Sequence, residues 1–313
     1  MSAQLDVKNI SLSIPSGHII QHRKTILKNI SFNISSGAAT AYLGVNGAGK
    51  TSTFRILCGL CKADEGEIYF DGNLLTSGIP PKKIGFMPEH PYFYKNLTPR
   101  ELLTGLGKLS GMNYNVVKAA IVQWAEKLHF SDVLDQHMGT CSKGQVQRVG
   151  LTQALMHQPD FLLLDEPLSG LDPLGRELVR NVIQSEIKRG ATLLFSSHIL
   201  SDAEAMCERV IVLQEGSIAY SGNMQALLAS QEAWLIHAIL PDPMISIPDN
   251  IQINKDLNGS SQIKCHSEKD RNHIIELILK ADGATLISVT PEHRTLEQAF
   301  VELLKGKDDE TNR

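Results

Sequence analysis

Gly44-Val45-Asn46-Gly47-Ala48-Gly49-Lys50-Thr51 sets glycines, a lysine and a hydroxyl at the spacing of a loop that wraps phosphate. The apolar run Ala39-Thr40-Ala41-Tyr42-Leu43 before it predicts a strand, and Ser52 to Leu60 after it predicts a helix. Glycine lets the backbone turn its N–H groups inward around phosphate oxygens, and a helix start adds partial positive charge. In that arrangement Lys50 reaches the β- and γ-phosphates of ATP and the Thr51 hydroxyl binds Mg2+. Gly44, Asn46, Gly47, Ala48, Gly49 and Ser52 are the remaining nucleotide contacts expected. A glycine turn before any helix would look the same in isolation, so the reading depends on motifs farther along the chain.

Those motifs are present. Phe161-Leu162-Leu163-Leu164-Asp165-Glu166 predicts a buried strand that carries Asp165 toward a Mg2+ shell, with Glu166 at the strand's mouth. A carboxylate there can polarise the water that attacks a γ-phosphate, or accept its proton. A second apolar run, Ala191-Thr192-Leu193-Leu194-Phe195, ends in Ser196-Ser197-His198. Short strands buried on both faces and alternating with helices predict a largely parallel α/β core, with its sites at the strands' carboxyl ends.

Around that core, Leu5 to Ile14 and Asn29 to Ile34 alternate like half-buried antiparallel strands, separated by a polar, His-rich loop from Ser16 to Lys24. Gly66 to Phe70 and Lys83 to Met87 read as further strands, and Pro99 to His129 as a mostly helical stretch interrupted by Gly105, Gly107 and Gly111. Composition shifts after Gly222. Strand signals at Trp234 to Leu240, Ile251 to Leu257, Ser261 to Cys265 and Thr285 to Val289, with helices at Asp270 to Lys280 and Leu296 to Leu304, predict a small α+β accessory domain. A polar tail from Lys305 to Arg313 is expected to close it.

With 313 residues and 42% hydrophobic content the chain can build about two domains. A net charge of -4 argues against a general nucleic-acid binder, so no nucleic-acid partner is expected. Five scattered cysteines point to a reducing compartment, and Cys58-Gly59-Leu60-Cys61 reads as core packing at a helix end. No run approaches the ~18 apolar residues of a membrane span, and Met1-Ser2-Ala3-Gln4-Leu5-Asp6 has neither the basic start nor the apolar stretch of a signal peptide. A cytoplasmic chain is expected, whose membrane role would come from a partner.

At Cys141-Ser142-Lys143-Gly144-Gln145 the chain resembles the ATP-binding-cassette (ABC) ATPase family, whose signature loop reads Leu-Ser-Gly-Gly-Gln. Ser142, Gly144 and Gln145 match; Cys141 and Lys143 depart from the pattern. The resemblance implies that this loop caps the γ-phosphate bound by a second copy of the protein, where preorganised donors stabilise developing charge. It further implies that Ser169-Gly170-Leu171-Asp172-Pro173 is the D-loop, and that His198 contacts the γ-phosphate and the facing subunit. Glu89, in Ile84-Gly85-Phe86-Met87-Pro88-Glu89, stands where the family usually has Gln touching Mg2+ or the attacking water. His18 and His22 occupy the loop from which the family stacks an aromatic on adenine.

The resemblance covers about Leu5 to Gly222 and implies a P-loop NTPase (ABC ATPase) core, residues 1–222, with an antiparallel β subdomain and a helical subdomain near 90–157. Residues 223–313, with Thr295-Leu296-Glu297-Gln298-Ala299-Phe300, are similar to small C-terminal domains on ATPase subunits of type 2 ABC exporters. The function implied is an ATPase working as a head-to-tail homodimer on the inner face of the cell membrane, bound to an integral membrane permease. The alternative is a soluble ABC ATPase acting on ribosomes or nucleic acid. Tyr92-Phe93-Tyr94 reads equally as a groove for a permease helix and as core of the helical subdomain.

Overall fold

The computed structural model describes residues 4–16, 22–75, 83–228, 233–241, 247–248, 251–255, 260–265, 267–291 and 294–311. The chain divides into two compact units, Met1–Met224 with Leu303–Arg313, and Gln225–Glu302.

The first unit runs β1 (Leu5–Ser16), β2 (His22–Ile34), β3 (Ala39–Gly44), α1 (Lys50–Leu57), β4 (Glu65–Phe70), β5 (Asn73–Leu74) and β6 (Ile84–Met87). It continues through α2 (Pro99–Leu109), α3 (Tyr114–Lys127), α4 (Lys143–Leu155), β7 (Phe161–Asp165), α5 (Pro173–Arg189), β8 (Thr192–Ser196), α6 (Leu200–Met206), β9 (Arg209–Gln214) and β10 (Ser217–Asn223), and the chain passes into the second unit within α7 (Met224–Leu228). β2, β1, β4 and β5 form an antiparallel sheet. The second sheet has the order β10-β9-β3-β8-β7-β6, parallel except for its β10 edge. This is the α/β P-loop architecture expected, with an antiparallel β subdomain and helices between β6 and β7.

Every residue of β7 and of β8 is buried, which explains why their sequences are apolar without alternation. The core joins both sheets through Tyr42, Phe32, Phe54, Phe70 and Phe161. Tyr42 lies 5.7 Å from Phe32 and 6.0 Å from Phe54, and Phe70 meets Phe161 edge-on at 5.4 Å. Gly85 lets α4 lie directly on β6: a Cβ there would sit 2.1 Å from the Ala154 carbonyl oxygen.

Several elements differ from expectation. Helix α1 starts at Lys50 rather than Ser52 and stops at Leu57, because Gly49 is already its N-cap and Cys58 its C-cap. β2 extends back to His22, through residues that read as loop, since Lys24 and Thr25 pair with Ile14 and Ser13 of β1. Of the three glycines expected to interrupt the Pro99 to His129 stretch, Gly111 does so with a φ of 81°, while Gly105 and Gly107 lie inside α2. Tyr92 and Tyr94 are 87% and 74% exposed, which removes the core reading for both. All five cysteines are free; Cys58 is buried, and burial raises its thiol pKa, as core packing requires.

The second unit holds β11 (Trp234–Ile239), β12 (Gln252–Lys255), β13 (Ser260–Cys265), α8 (Glu268–Lys280) and β14 (Thr285–Pro291), after which the chain enters α9 (Leu296–Thr311). Its antiparallel sheet has the order β12-β13-β11-β14. Ile236, Ala238, Ile263, Ile274 and Ile278 make its core. Helix α9 carries through most of the stretch expected as a polar tail. Asp256 and Leu257, the end of one expected strand, lie outside the described residues.

Candidate active site

The carboxyl ends of β3, β6, β7 and β8 share one edge of the parallel sheet, and there the motif residues converge. A cleft of about 700 Å³ is lined by Asn46, Gly47, Gly49, Lys50, Thr51, Ser52, Glu89, Asp165, Glu166 and His198, with Lys24 and Ile26. Gly49 enters α1 from the left-handed region, φ 113°, and makes no side-chain cap hydrogen bond. A Cβ on Gly49 would also lie 2.6 Å from Leu27 Cδ2. Lys50 is largely buried, and its Nζ donates to the carbonyls of Gly44 at 2.7 Å and Val45 at 3.4 Å. The ammonium is thereby held beside the loop it must serve. Behind α1, the Tyr42 hydroxyl bonds Thr53 Oγ1 at 3.1 Å, and burial pushes the phenol pKa up.

Asp165 and Glu166 are 1% and 7% exposed. Glu166 adopts φ 52°, a conformation that costs a non-glycine residue about 1–3 kcal/mol and signals an imposed geometry. Four hydrogen bonds help to hold it. The Glu166 N–H donates to Ser196 Oγ at 2.9 Å, and Gln147 Nε2 donates to the Glu166 carbonyl at 3.3 Å. Glu166 Oε2 meets His198 Nδ1 at 2.6 Å and accepts from the His198 N–H at 3.2 Å. Asp165 Oδ1 accepts from Ser196 Oγ at 2.6 Å, while Asp165 Oδ2 is buried without a hydrogen-bond partner among the described residues.

Ser142, Gly144 and Gln145 do not line this cleft. Ser142 is the N-cap of α4, closed by a capping box: Ser142 Oγ accepts from Gln145 N at 3.3 Å, and Gln145 Oε1 accepts from Ser142 N at 2.8 Å. Lys143 lies along Gly170 in the loop before α5. Asp172 caps α5, accepting from Gly175 N at 3.0 Å with Pro173 in the first turn. Arg148 Nη1 donates to the His129 carbonyl at 3.1 Å, and Arg148 Nη2 stands 4.0 Å from Asp172 Oδ1. One arginine thus links the end of α3, the α4 helix and the start of α5.

Sequence reasoning missed three residues here. Lys24 and Ile26 enter the cleft only because β2 is longer than it reads. Ser196 was visible in its motif, but its partners are set by the register of β7 and β8, where it stands beside Asp165. His18 and the side chain of His22 lie outside the described residues.

Residues 27–169 match the family model described as ABC transporter. The chain is 31% identical to the ABC transporter ATP-binding protein YhcH of Bacillus subtilis (strain 168), over 97% of this chain and 96% of that one. It is 33% identical to the Nod factor export ATP-binding protein I of Paraburkholderia xenovorans (strain LB400), over 71% of this chain and 74% of the relative. A solved ATP binding subunit of an ABC transporter superposes with a TM-score of 0.63 at 28% identity, over 71% of this chain and 91% of that one. Likeness that runs almost end to end with one relative, beside the family match over residues 27–169, has one reading: the chain belongs to the ABC transporter ATP-binding proteins, the ATPase subunits of those transporters.

Proposed function

We propose that this chain powers an exporter: two copies bind ATP head to tail, each completing the other's site, and hydrolysis drives an attached integral membrane permease. The partition of the motif residues carries the reading. Lys50, Thr51, Asp165, Glu166, Glu89 and His198 share one cleft. Ser142, Gly144 and Gln145, at the start of α4, are set apart from it. Donors suited to a γ-phosphate but absent from their own chain's cleft serve a nucleotide held by a second copy.

The oxygens of the cleft fit Mg2+. Asp165 Oδ2 is a buried acceptor without a partner among the described residues, and Thr51 and Glu89 line the same space. Hard oxygen donors, few in number and completed by phosphate, suit this ion. Thr51, Asp165 and Glu89 would hold the ion, which would supply positive charge to offset that of the phosphates. Lys50 and the uncapped start of α1 bind the phosphates. Glu166 is the general base. Both His198 contacts fall on Oε2, so Oε1 is the oxygen left to take a proton from the attacking water. His198 holds that carboxylate in place and reaches the γ-phosphate. Glu89 supplies the oxygen that Gln supplies elsewhere in the family.

Kinship with a Nod factor export ATP-binding protein supports the export direction. Among the described residues no helix is long and apolar enough to cross a membrane. In this reading the chain sits at the inner face of the cell membrane, with the exposed Tyr92 and Tyr94 meeting the permease. The ATPase domain occupies about residues 1–222, and the accessory domain begins near residue 223.

The test is ATPase activity of the isolated protein as a function of its concentration. One copy cannot complete a site, so activity per milligram is expected to climb with concentration and then level off. A flat profile down to the lowest measurable concentration would refute the shared site.

A further inference from the structure

The hydroxyl of Ser196 joins the two acids of the cleft. β8 runs parallel to β7 with Ser196 opposite Asp165, and the Ser196 side chain is fully buried. A serine hydroxyl has a single hydrogen to give, while its oxygen can also accept. Glu166 N is a donor, so at that 2.9 Å contact Ser196 Oγ accepts. The hydroxyl hydrogen is then committed to Asp165 Oδ1, 2.6 Å away, because an ionised carboxylate only accepts. The chain of bonds has one direction, from Glu166 N–H through Ser196 to Asp165.

This direction has two consequences for the cleft. Asp165 Oδ1 is turned inward and occupied, so Oδ2 is the oxygen left over, buried and without a partner among the described residues, on a side chain that lines the cleft. The same hydroxyl restrains the left-handed backbone of Glu166, from which that carboxylate meets His198. Ser197, next in sequence, acts elsewhere. Its hydroxyl closes a local turn by donating to the Ile199 carbonyl at 3.0 Å and accepting from Ile199 N at 2.9 Å.

We infer that Ser196 is a positioning residue, whose hydroxyl turns Asp165 so that Oδ2 faces the divalent cation of ATP and holds the Glu166 turn beside it. This rests on the reading of the cleft as a metal–ATP site. Partners that orient a metal ligand carry about 10–100-fold of metal affinity or activity, because a ligand free to rotate must be ordered at each binding event.

The test compares binding of ATP in the presence of Mn2+ with binding of ATP in EDTA, by calorimetry and by the Mn2+ paramagnetic resonance signal, on the full chain. Ser196→Ala removes both bonds; Ser196→Cys keeps the volume but offers only a weak donor; Ser196→Thr keeps the hydroxyl. For the Ala and Cys variants, affinity for ATP with Mn2+ is expected to fall about 10–100-fold. Their affinity for ATP in EDTA should stay at the level of the unsubstituted protein, and kcat should fall more than KM changes. The Thr variant should keep its Mn2+-dependent affinity. Equal losses with and without metal would make Ser196 a packing residue and overturn the inference, as would unchanged Mn2+ affinity in the Ala and Cys variants. If the unsubstituted protein itself bound ATP no better with Mn2+ than in EDTA, the reading of the cleft would fall first, and the role of Ser196 with it.

Discussion

Helices α1 and α4 both begin at sequence motifs to which we assign a phosphate, yet their first turns are built in opposite ways. Every helix start leaves N–H groups without intrahelical partners. At α1 the N-cap is Gly49, left-handed and lacking any side-chain cap, so a phosphate meets donors without displacing a bond. At α4 the N-cap Ser142 and Gln145 satisfy each other. Such a cap is worth about 0.5–2 kcal/mol to the fold. The first start is kept open for a ligand, and the second is already used for stability. The difference is less absolute than it looks, because Ser142 Oγ only accepts within its box. Its own hydrogen remains to be donated outward, so α4 can serve a phosphate without uncapping.

The largest test of this contrast removes the chemistry and leaves only the two helix starts to act. Glu166→Gln removes the proposed base, so phosphate release is expected to slow by about 10²–10⁴-fold while ATP still binds. With hydrolysis stopped, ATP should convert the variant from monomer to dimer in light scattering. Near-normal turnover would remove Glu166 from the role of base.

Closing the open helix start comes next in size. Gly49→Ala puts a Cβ 2.6 Å from Leu27 Cδ2 and 3.2 Å from the Ile26 carbonyl oxygen, at φ 113°. Backbone strain of about 1–3 kcal/mol is expected, with overpacking of similar size, about 1–3 kcal/mol. The melting temperature should drop and ATP affinity be lost. Retained affinity would show that the left-handed entry to α1 is not what aims the loop at phosphate.

What could be read from the sequence divides along the same line. The α1 start was legible because glycine and lysine at fixed spacing have few other uses, and β7 and β8 because strands buried on both faces are apolar through their middles, Leu162 to Leu164 and Leu193 to Phe195. The ends of α1 were off because the loop's last glycine is itself the cap. The start of β2 was misread because Arg23 and Lys24 are polar and exposed and so look like loop, and Lys24 and Ile26 went unseen as cleft residues. β9 was passed over although Val210 to Leu213 is as apolar as β7, because no chemical motif comes after it. The α4 start was legible as a helix cap from its residues alone. Its phosphate duty came only from family resemblance, since a capping serine has the same local chemistry with or without a ligand. Ser196 shows the same limit from another side. Its two partners lie at and just past the end of another strand, and only the register of the sheet reveals them.

The smallest effect is the one that separates the two duties of Ser142. Ser142→Ala deletes the cap and the outward hydroxyl together, so it should cost about 0.5–2 kcal/mol of stability and also reduce turnover. Ser142→Asp is the sharper change. Aspartate caps as well as serine, so the melting temperature should stay close to that of the unsubstituted protein, or rise slightly through the charge it sets at a helix start. The same carboxylate would stand where the partner's γ-phosphate has to approach, and it has no hydrogen to donate there. ATP binding to the monomer should therefore be unchanged, because Ser142 lies outside its own cleft, while ATP-driven dimerisation in a Glu166→Gln background should be lost. An aspartate variant that is stable and still dimerises with ATP would mean that the α4 start is only a helix cap, and that nothing at this end of the molecule touches the second nucleotide.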